Sequence, residues 1–362
     1  MAAQNDDNII NIFKKHSQPV YSIAFSRDGK FLASGAKDKA IYIWDINTGE
    51  VAFSIEDNYF PIRALQFARE SEILAACGPD IKLINLEGKL LKTFSGYTTH
   101  IWSFDFNAET NKIVCGSYAT IIKVWDYTTG EIITTLEGHE KSTLPVCISH
   151  DGKYIISGSL DKSVRIWNAV SGEEMRKMNK HSDNIYSVKF HPGGKYFASA
   201  SGDKTIRLWD FKTGEVIKTY IGHNKEIMDI DFSPDGKHLL SCSFDNTIIL
   251  WETISGNKIY SFTDHEGFVN SVRFSPDGKY FASASDDKTV RLWKLNKKIF
   301  VDYYFTDELE KETAGSSLFK PKKKSENKAD YKIRQEKAKT YLDKIVDDYY
   351  NKYLEYINKQ EF

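Results

Sequence analysis

Short runs in which apolar and polar residues alternate recur along the first 295 residues of the chain. The run 185–190 is one example, and the sequence His-Pro-Gly-Gly-Lys follows it. Three more runs, 196–200, 205–209 and 215–220, are separated by turns that contain glycine, aspartate or threonine. Alternation of β-branched and aromatic residues with period two, between such turns, predicts a four-stranded antiparallel meander.

This pattern repeats at a nearly constant interval that tryptophan marks. Six tryptophans stand 81, 42, 42, 42 and 42 residues apart, at Trp44, Trp125, Trp167, Trp209, Trp251 and Trp293. The interval of 81 holds two repeats, with Ile84 in the missing place. One such sheet cannot bury both faces alone, whereas sheets stacked around an axis cover one another. We therefore predict an all-β ring of seven blades over residues 9–298.

Three polar residues precede these tryptophans at fixed distances: histidine 28 residues before, serine 10 before and aspartate 6 before. We expect the histidine to donate to the aspartate and to the serine hydroxyl, which lies beside the indole. Five Ser-His-Asp sets fit a structural network, because a hydrolase site would occur once and need an oxyanion hole. The sets are His16, Ser34, Asp38, Trp44; His139, Ser157, Asp161, Trp167; His181, Ser199, Asp203, Trp209; His223, Ser241, Asp245, Trp251; and His265, Ser283, Asp287, Trp293.

At these residues the sequence resembles the WD40 repeat family, whose blades hold such a network. The resemblance spans residues 9–295, and the name-giving dipeptide stands at Trp44-Asp45, Trp125-Asp126 and Trp209-Asp210. It implies a seven-bladed WD40 β-propeller that binds partners on one face.

The N-terminal segment predicts how the ring closes. Ile10–Phe13 align with Ile217–Tyr220, the outer strand of a later repeat, although no blade precedes them. The last repeat lacks an outer strand. We expect the two ends to pair and fasten the ring.

The second and third repeats depart from the pattern. In the third, Tyr97, Cys115 and Ala119 replace His, Ser and Asp, and we expect apolar packing in place of the network. In the second, Ile84-Asn85 replaces Trp-Asp, and the hairpin at 76–80 is two residues shorter. Two explanations remain: drift in a tolerant blade, which is favoured because repeat stability is a sum over neighbours, or a shape that a partner requires.

The resemblance also implies positions that bind partners: three and five residues after the histidine, and just before the turn aspartate. They form an aromatic, apolar mouth of the kind that marks interaction sites, although some side chains could instead turn inward. Trp102, Tyr118 and Tyr186 are the expected anchors for a peptide. The candidate partner-binding residues are Tyr21, Arg63, Trp102, Tyr118, Leu144, Tyr186, Met228, Phe244 and Phe268.

Composition narrows the classes of function. The formal charge of -1 provides no field that would draw the chain to nucleic acid or an anionic membrane. Four scattered cysteines indicate reduced, buried thiols in an intracellular protein, and no sequence feature indicates a cofactor, metal or catalytic residue. Residues 1–8 are polar, and no apolar run approaches the length of a membrane span. We expect a disordered N-terminus over 1–8 and a cytoplasmic or nuclear location.

After the repeats, residues 299–327 are predicted to form an aromatic and then charged linker, with the aromatic part packed on the propeller. Within it the basic run 320–324 resembles a nuclear import signal, although a solvated linker is favoured. Residues 328–362 are predicted to form an amphipathic helix with Asn327 as its N-cap. Docking on this propeller or a second protein is favoured over a coiled coil or disorder.

These features together predict a non-catalytic scaffold that presents an aromatic propeller face to a protein or peptide and a C-terminal helix to a second surface. The alternative is a substrate-receptor or regulatory subunit of an enzyme complex, such as a ubiquitin ligase. The sequences after the three Trp-Asp dipeptides lack the Arg of Trp-Asp-x-Arg, which disfavours one adaptor route of that kind. Binding of nucleic acid through the tail lysines is a third hypothesis, which the near-zero net charge disfavours and which a steep salt dependence of binding would reveal.

Overall fold

The structure of the chain, a computed structural model, describes residues 8–56, 58–69, 72–323 and 326–359. These residues form two units, 8–294 and 295–359. The expected disorder of residues 1–7 and the end of the predicted helix at 360–362 lie outside the described residues.

The first unit contains only strands as regular elements of its described residues, and most consecutive strands are joined by short turns. The first fourteen are β1 (Ile9–Phe13), β2 (Val20–Phe25), β3 (Phe31–Ala36), β4 (Ile41–Asp45), β5 (Val51–Ile55), β6 (Ile62–Arg69), β7 (Glu72–Cys77), β8 (Asp80–Asn85), β9 (Leu90–Phe94), β10 (Ile101–Asn107), β11 (Lys112–Ser117), β12 (Ile122–Asp126), β13 (Ile132–Leu136) and β14 (Thr143–Ile148). The next fourteen are β15 (Tyr154–Ser159), β16 (Val164–Asn168), β17 (Glu174–Met178), β18 (Ile185–Phe190), β19 (Tyr196–Ser201), β20 (Thr205–Asp210), β21 (Val216–Ile221), β22 (Ile227–Phe232), β23 (His238–Ser243), β24 (Ile248–Glu252), β25 (Lys258–Phe262), β26 (Val269–Phe274), β27 (Tyr280–Ser285) and β28 (Val290–Lys294).

The strands form seven antiparallel blades of four. Six blades are consecutive, from β2–β5 to β22–β25, and a backbone bridge between Ser117 and Thr143 joins the third to the fourth. The innermost strand of each blade contacts that of the next, and β26 contacts β2, so the ring is closed. This confirms the predicted all-β propeller. Its core lies between blades, where apolar faces of neighbouring sheets meet.

The seventh blade is completed by the N-terminus, as predicted. β1 pairs with β28, with Phe13 opposite Val290, in the order β1-β28-β27-β26. The ring of Phe13 lies 4.9 Å from that of Trp44, and Tyr220 lies 5.6 Å from Trp251 in the same relation. Because β1 belongs to the start of the chain and its sheet to the end of the repeats, this pairing fastens the ring.

Local turn chemistry explains why the hairpins form where they do. In the turn after β2, Asp28 accepts hydrogen bonds from the Ser26 hydroxyl at 2.7 Å and the Lys30 amide at 3.1 Å. Gly29 in this turn has a φ of 71°, a conformation that costs glycine little. The fourth, sixth and seventh blades repeat the Ser-Asp bond at the same place.

The second unit is helical where the sequence predicted a linker. It consists of α1 (Lys297–Tyr304), α2 (Thr306–Gly315), a short 3-10 helix (Ser317–Phe319) and α3 (Lys328–Asn358). The prediction of a linker was therefore wrong for most of 299–319, whereas the described residues 320–323 and 326–327 lie in no helix. The aromatic segment forms α1, whose first turn is capped by Asn296, and its apolar side chains face α3.

The apolar side of α3 is covered within the same unit. Ile345 and Tyr349 form a buried cluster with Val301 of α1 and Leu309 of α2, and Phe300 stacks on Tyr353 at 4.8 Å. The helix itself and its N-cap, Asn327, agree with the prediction, since the Asn327 side chain accepts from the Asp330 amide. Docking of the stripe on the propeller or on another protein stays a prediction, and α1 and α2 cover part of the stripe.

The basic run is partly held by α3. Arg334 forms an ion pair with Glu326 at 2.8 Å and donates to the carbonyl groups of Leu318 and Lys320 at 3.0 and 2.6 Å. Lys324, at the end of the run, lies outside the described residues. The stretch from the 3-10 helix to Lys320 is therefore ordered by contacts of Arg334.

Candidate functional site

The polar network forms in five blades with nearly the same geometry. In the fifth blade the Trp209 indole donates to the Ser199 hydroxyl at 2.8 Å, Ser199 lies 2.8 Å from Nε2 of His181, and Nδ1 of His181 lies 2.7 Å from Asp203. The first, fourth, sixth and seventh blades repeat these contacts within a few tenths of an ångström.

The predicted direction of one bond in this network was wrong. An indole nitrogen only donates, and Nδ1 of the histidine donates to the aspartate, so the serine hydroxyl must donate to the free lone pair on Nε2. Burial lowers the pKa of His181 and keeps the ring neutral. Burial alone would raise the pKa of Asp203, but hydrogen bonds from His181 and Thr205 hold it well below its ordinary value.

Replacement of one member should destabilise the blade without altering a binding face. We expect Asp203→Ala to lower the free energy of unfolding by about 1–3 kcal/mol, because buried donors lose their acceptor. Urea unfolding followed by tryptophan fluorescence measures this. The control is Asp264→Ala at an exposed aspartate, with an expected change within about 0.5 kcal/mol. Equal stability of the two variants would contradict a role of the network in stability.

Two of the sets of candidate positions are joined by the same backbone hydrogen bond in six blades. In six blades the residue before the turn donates its amide to the carbonyl three residues after the histidine position, as Tyr118 does to His100 at 3.2 Å and Phe244 to Glu226 at 3.0 Å. The two sets of positions that the sequence selected therefore share one end of the blades. Their side chains nevertheless differ in exposure.

Four of the candidates, Tyr21, Arg63, Trp102 and Tyr118, form a connected group. The guanidinium carbon of Arg63 lies 4.2 Å from the centre of the Tyr21 ring and 5.4 Å from that of Trp102. Trp102 meets the exposed Tyr118 ring edge to face, with 5.8 Å between the ring centres. Arg63 thus lies beside two aromatic rings from neighbouring inner strands, and Tyr118 extends the group outward.

Four of the other candidates line the axial cavity or form a separate aromatic pair. Tyr186 and Met228 line the same axial cavity of about 420 Å³ as Tyr21, Arg63 and Trp102. Phe244 and Phe268 stack on each other at 4.6 Å as a separate pair in the sixth and seventh blades.

Leu144 is not part of the mouth. Its side chain is 2% exposed, and its carbonyl accepts from the Ser103 hydroxyl of the third blade at 2.8 Å. This hydrogen bond and the bridge between Ser117 and Thr143 together hold β14 against the third blade. Assigning Leu144 to partner binding was therefore wrong, and this side chain fills the end of its blade.

Sequence reasoning missed the charged groups inside the cavity. Asp229 accepts from Ser187 at 3.0 Å and from Ser271 at 2.9 Å, and it forms an ion pair with Arg273. Burial raises the pKa of Asp231, although the charges of Arg273 and Lys189 oppose this. Their spacing could have identified them, because Asp229 and Asp231 stand six and eight residues after His223, the histidine of the network in that blade. They link neighbouring inner strands.

A second cavity, of about 1160 Å³, was also missed. It is lined by the C-terminal ends of the inner strands of the first to fifth blades, including Phe25, Phe67, Phe106, Ile148 and Phe190. All four cysteines are free and buried, as predicted, and burial raises the pKa of Cys77 to about 12. Within the described ranges no group of three or more His, Cys, Asp or Glu residues could hold a metal ion.

Comparison with known families identifies the repeats. The model described as WD domain, G-beta repeat matches six segments, 7–45, 88–126, 130–168, 172–210, 214–252 and 256–294. The chain belongs to the WD40 repeat family. The WD40 model leaves 46–87 unmatched, which is the repeat that carries Ile84 in place of tryptophan and the shortened hairpin.

Several curated WD40 relatives are similar to part of the chain. Nuclear distribution protein nudF of Aspergillus niger is 28% identical over 148 residues, 39% of this chain and 33% of that protein. Transcriptional corepressor LEUNIG_HOMOLOG of Arabidopsis thaliana is 31% identical over 33% of this chain and 16% of its own length. COMPASS component SWD3 of Saccharomyces cerevisiae is 30% identical over 33% of this chain and 39% of its own length. The chain thus spans less than half of each of these relatives.

The third WD40 blade replaces its network with a tyrosine rather than with apolar packing alone. The Tyr97 hydroxyl donates to the Cys115 carbonyl at 2.7 Å and accepts from the Lys123 amide at 2.9 Å. Trp125 keeps its place, but its indole nitrogen has no hydrogen-bond partner among the residues that the structure describes. The expected apolar packing is present, because Tyr97, Cys115 and Trp125 lie in one buried cluster, and the Tyr97 hydroxyl in addition links two strands of the blade.

The second WD40 blade has the tighter hairpin that the sequence predicted. Only Gly78 and Pro79 separate β7 from β8, and Gly78 has a φ of 69°. The Gly78 carbonyl accepts from the Ile101 amide of the third blade at 2.8 Å. A Cβ on Gly78 would lie 2.6 Å from a ring carbon of Phe60, so the aromatic side chain lies directly across this turn.

In the described part of the chain, no helix has the length and apolar character needed to cross a membrane.

Proposed function

We propose that the chain is a non-catalytic scaffold that binds a segment of another protein at the mouth of the propeller formed by Tyr21, Arg63, Trp102 and Tyr118. The observation that carries this proposal is the partly exposed Trp102, held between Arg63 and Tyr118 at the rim of an axial cavity. Trp, Tyr and Arg are the side chains that contribute most to binding energy at interfaces. A rigid ring of strands holds them in place before binding, which lowers the entropy cost.

The helical unit is the proposed second surface of the scaffold. We propose the whole unit as the binding surface and not α3 alone, because α1 and α2 pack on the apolar side of α3. The names of the relatives, a nuclear distribution protein and a transcriptional corepressor, support either a cytoplasmic or a nuclear location for this role.

Replacing Trp102 tests the proposal. We expect Trp102→Ala to abolish capture of protein partners by the tagged full chain, whereas the free energy of unfolding changes by less than about 1 kcal/mol. Quantitative mass spectrometry of captured proteins and urea unfolding provide the two measurements. Phe53→Ala, at an aromatic residue of an outer strand that is 37% exposed, is the matched control and should retain the partners.

Two results would contradict the proposal. Unchanged capture by Trp102→Ala would move partner binding away from this mouth. A loss of capture accompanied by an equal loss of stability would identify Trp102 as a core residue.

A second candidate is a receptor or regulatory subunit of an enzyme complex. The observation that favours it is the relative named as a COMPASS component, that is, part of an assembly. Capture through the tagged chain followed by sedimentation would then yield one assembly of fixed stoichiometry that contains an enzyme. A set of independent binary partners would favour the scaffold.

A further inference from the structure

Arg63 is held in a fixed orientation but lacks an anionic partner. Its guanidinium lies beside the rings of Tyr21 and Trp102, at 4.2 and 5.4 Å from their centres. Among the described residues no carboxylate oxygen lies within 4.0 Å of it, and its side chain makes no hydrogen bond. Aromatic contact leaves the N–H groups of a guanidinium free, and they match the two oxygens of one carboxylate.

Two carboxylates near the mouth and in the cavity, Asp286 and Asp229, are already engaged. Asp286 accepts from the Asn270 side chain at 2.8 Å. Further along the inner strands, Asp229 pairs with Arg273 and accepts from Ser187. The anionic groups of the cavity are therefore committed to holding blades together, whereas the cation at its rim is available to a ligand.

The departures of the second and third blades expose further aromatic side chains next to the anchor strand of Trp102. Phe60 lies across the shortened hairpin at Gly78, is 40% exposed, and meets His100 edge to face at 5.4 Å. Tyr59 is 81% exposed. The Gly78 carbonyl binds the Ile101 amide, next to Trp102, so this hairpin is fastened to the strand that carries the anchor.

We propose that this sector, made of Tyr59, Phe60, Arg63, His100, Trp102 and Tyr118, binds a peptide segment of a partner that carries an aspartate or glutamate next to an apolar residue. The carboxylate binds the guanidinium of Arg63 with two hydrogen bonds, and the apolar side chain packs on Phe60, Trp102 and Tyr118. The inference rests on the proposed function and gives it a chemical class of partner. It also favours a requirement of the partner over drift as the reason for the short hairpin, because a longer turn would occupy the space of Phe60.

Selection from a display library of random 12-residue peptides on the immobilised full chain tests this. We expect the peptides enriched by the wild type to share an acidic residue beside an apolar one. The Arg63→Glu variant should instead enrich lysine or arginine at that place, because the charge at the rim is reversed.

One enriched peptide is then synthesised, and its dissociation constant is measured by fluorescence anisotropy. Arg63→Gln should weaken binding at least about tenfold, as should glutamine in place of the acidic residue, and the two losses should not add because they break the same contact. Arg63→Lys should give an intermediate loss, since it keeps the charge without the planar fork. Arg27→Gln, an exposed arginine in the turn after β2, is the matched control and should bind as the wild type does.

Several outcomes overturn the inference, and they differ from failure of the proposed function. Enriched peptides without an acidic residue, or binding unaffected by Arg63→Gln, would overturn it while the propeller mouth remains a peptide site. Tighter binding of the same peptide with phosphoserine at the acidic position would overturn the assignment of a carboxylate. If the wild type enriched no peptide relative to Trp102→Ala, the proposed function would fail as well.

Discussion

Removal of residues 1–14 is expected to lower the free energy of unfolding of the propeller by at least about 3 kcal/mol. The deletion removes β1, so β28 loses its neighbour and becomes an exposed edge. It also removes Phe13, which is 3% exposed and packs on Trp44 of the first blade. Loss of a buried phenylalanine alone costs about 3–5 kcal/mol.

Tryptophan fluorescence is suited to this measurement. All seven tryptophans of the chain lie in the propeller, so the signal reports its unfolding and not that of the helical unit. Deletion of residues 1–7, which retains every residue of β1, is the matched control and should unfold as the full chain does. Phe13→Ala should reproduce most of the loss. A full deletion that unfolds at the same urea concentration as the intact chain would show that β1 does not fasten the ring.

Acidification is expected to destabilise the propeller in two stages. Burial lowers the pKa of the network histidines His139, His181 and His265 below 6.5, so the unfolded chain binds more protons as the pH falls through 6.5. Hydrogen bonds outweigh burial and hold the pKa of Asp161, Asp203, Asp245 and Asp287 below the ordinary 3.8. Their stabilisation is present above about pH 4 and is lost as the pH falls below it.

The network histidines and the network aspartates therefore both lower the stability of the propeller as the pH falls, and effects in separate blades should nearly add. We expect the melting temperature to decrease slowly from pH 6.5 and steeply below pH 4. Asp203→Asn should show a smaller decrease below pH 4, whereas Asp347→Asn, at an exposed carboxylate of α3, should follow the wild type. A melting temperature that stays constant between pH 7 and 3 would contradict the role of these networks.

The blades could be predicted from the sequence because each is specified by local signals. The Ser-Asp turn, the histidine network and the alternation of the strands all lie within one repeat of about 42 residues, and their spacing is the same in most copies. The outer strand at Ile9–Phe13 could be assigned in the same way, since its alignment with Ile217–Tyr220 also predicts its register. Such signals need no knowledge of the neighbouring blade.

The candidate site could be predicted only in part. Alignment selects Trp102 and Leu144 as equivalent positions, but one side chain faces the mouth and the other is buried against the third blade. Phe60 was missed because its place depends on the shortened hairpin at Gly78. The aromatic segment after Leu295 was predicted as a linker because its contacts are distant in sequence: Val301 packs on Ile345 and Phe300 on Tyr353, both in the second half of α3.

The sequence by itself determined the seven blades, the closing strand, the five networks and the helix that begins at Lys328 with Asn327 as its N-cap. Tertiary structure alone decided which rim side chains are exposed, that Arg63 lies beside Tyr21 and Trp102 without a carboxylate, and that α1 and α2 cover α3. The physical reason is the range of the interactions. Turn chemistry, periodicity and repeated hydrogen bonds act within one repeat, whereas exposure and pairing of a side chain depend on residues brought together from different blades or helices.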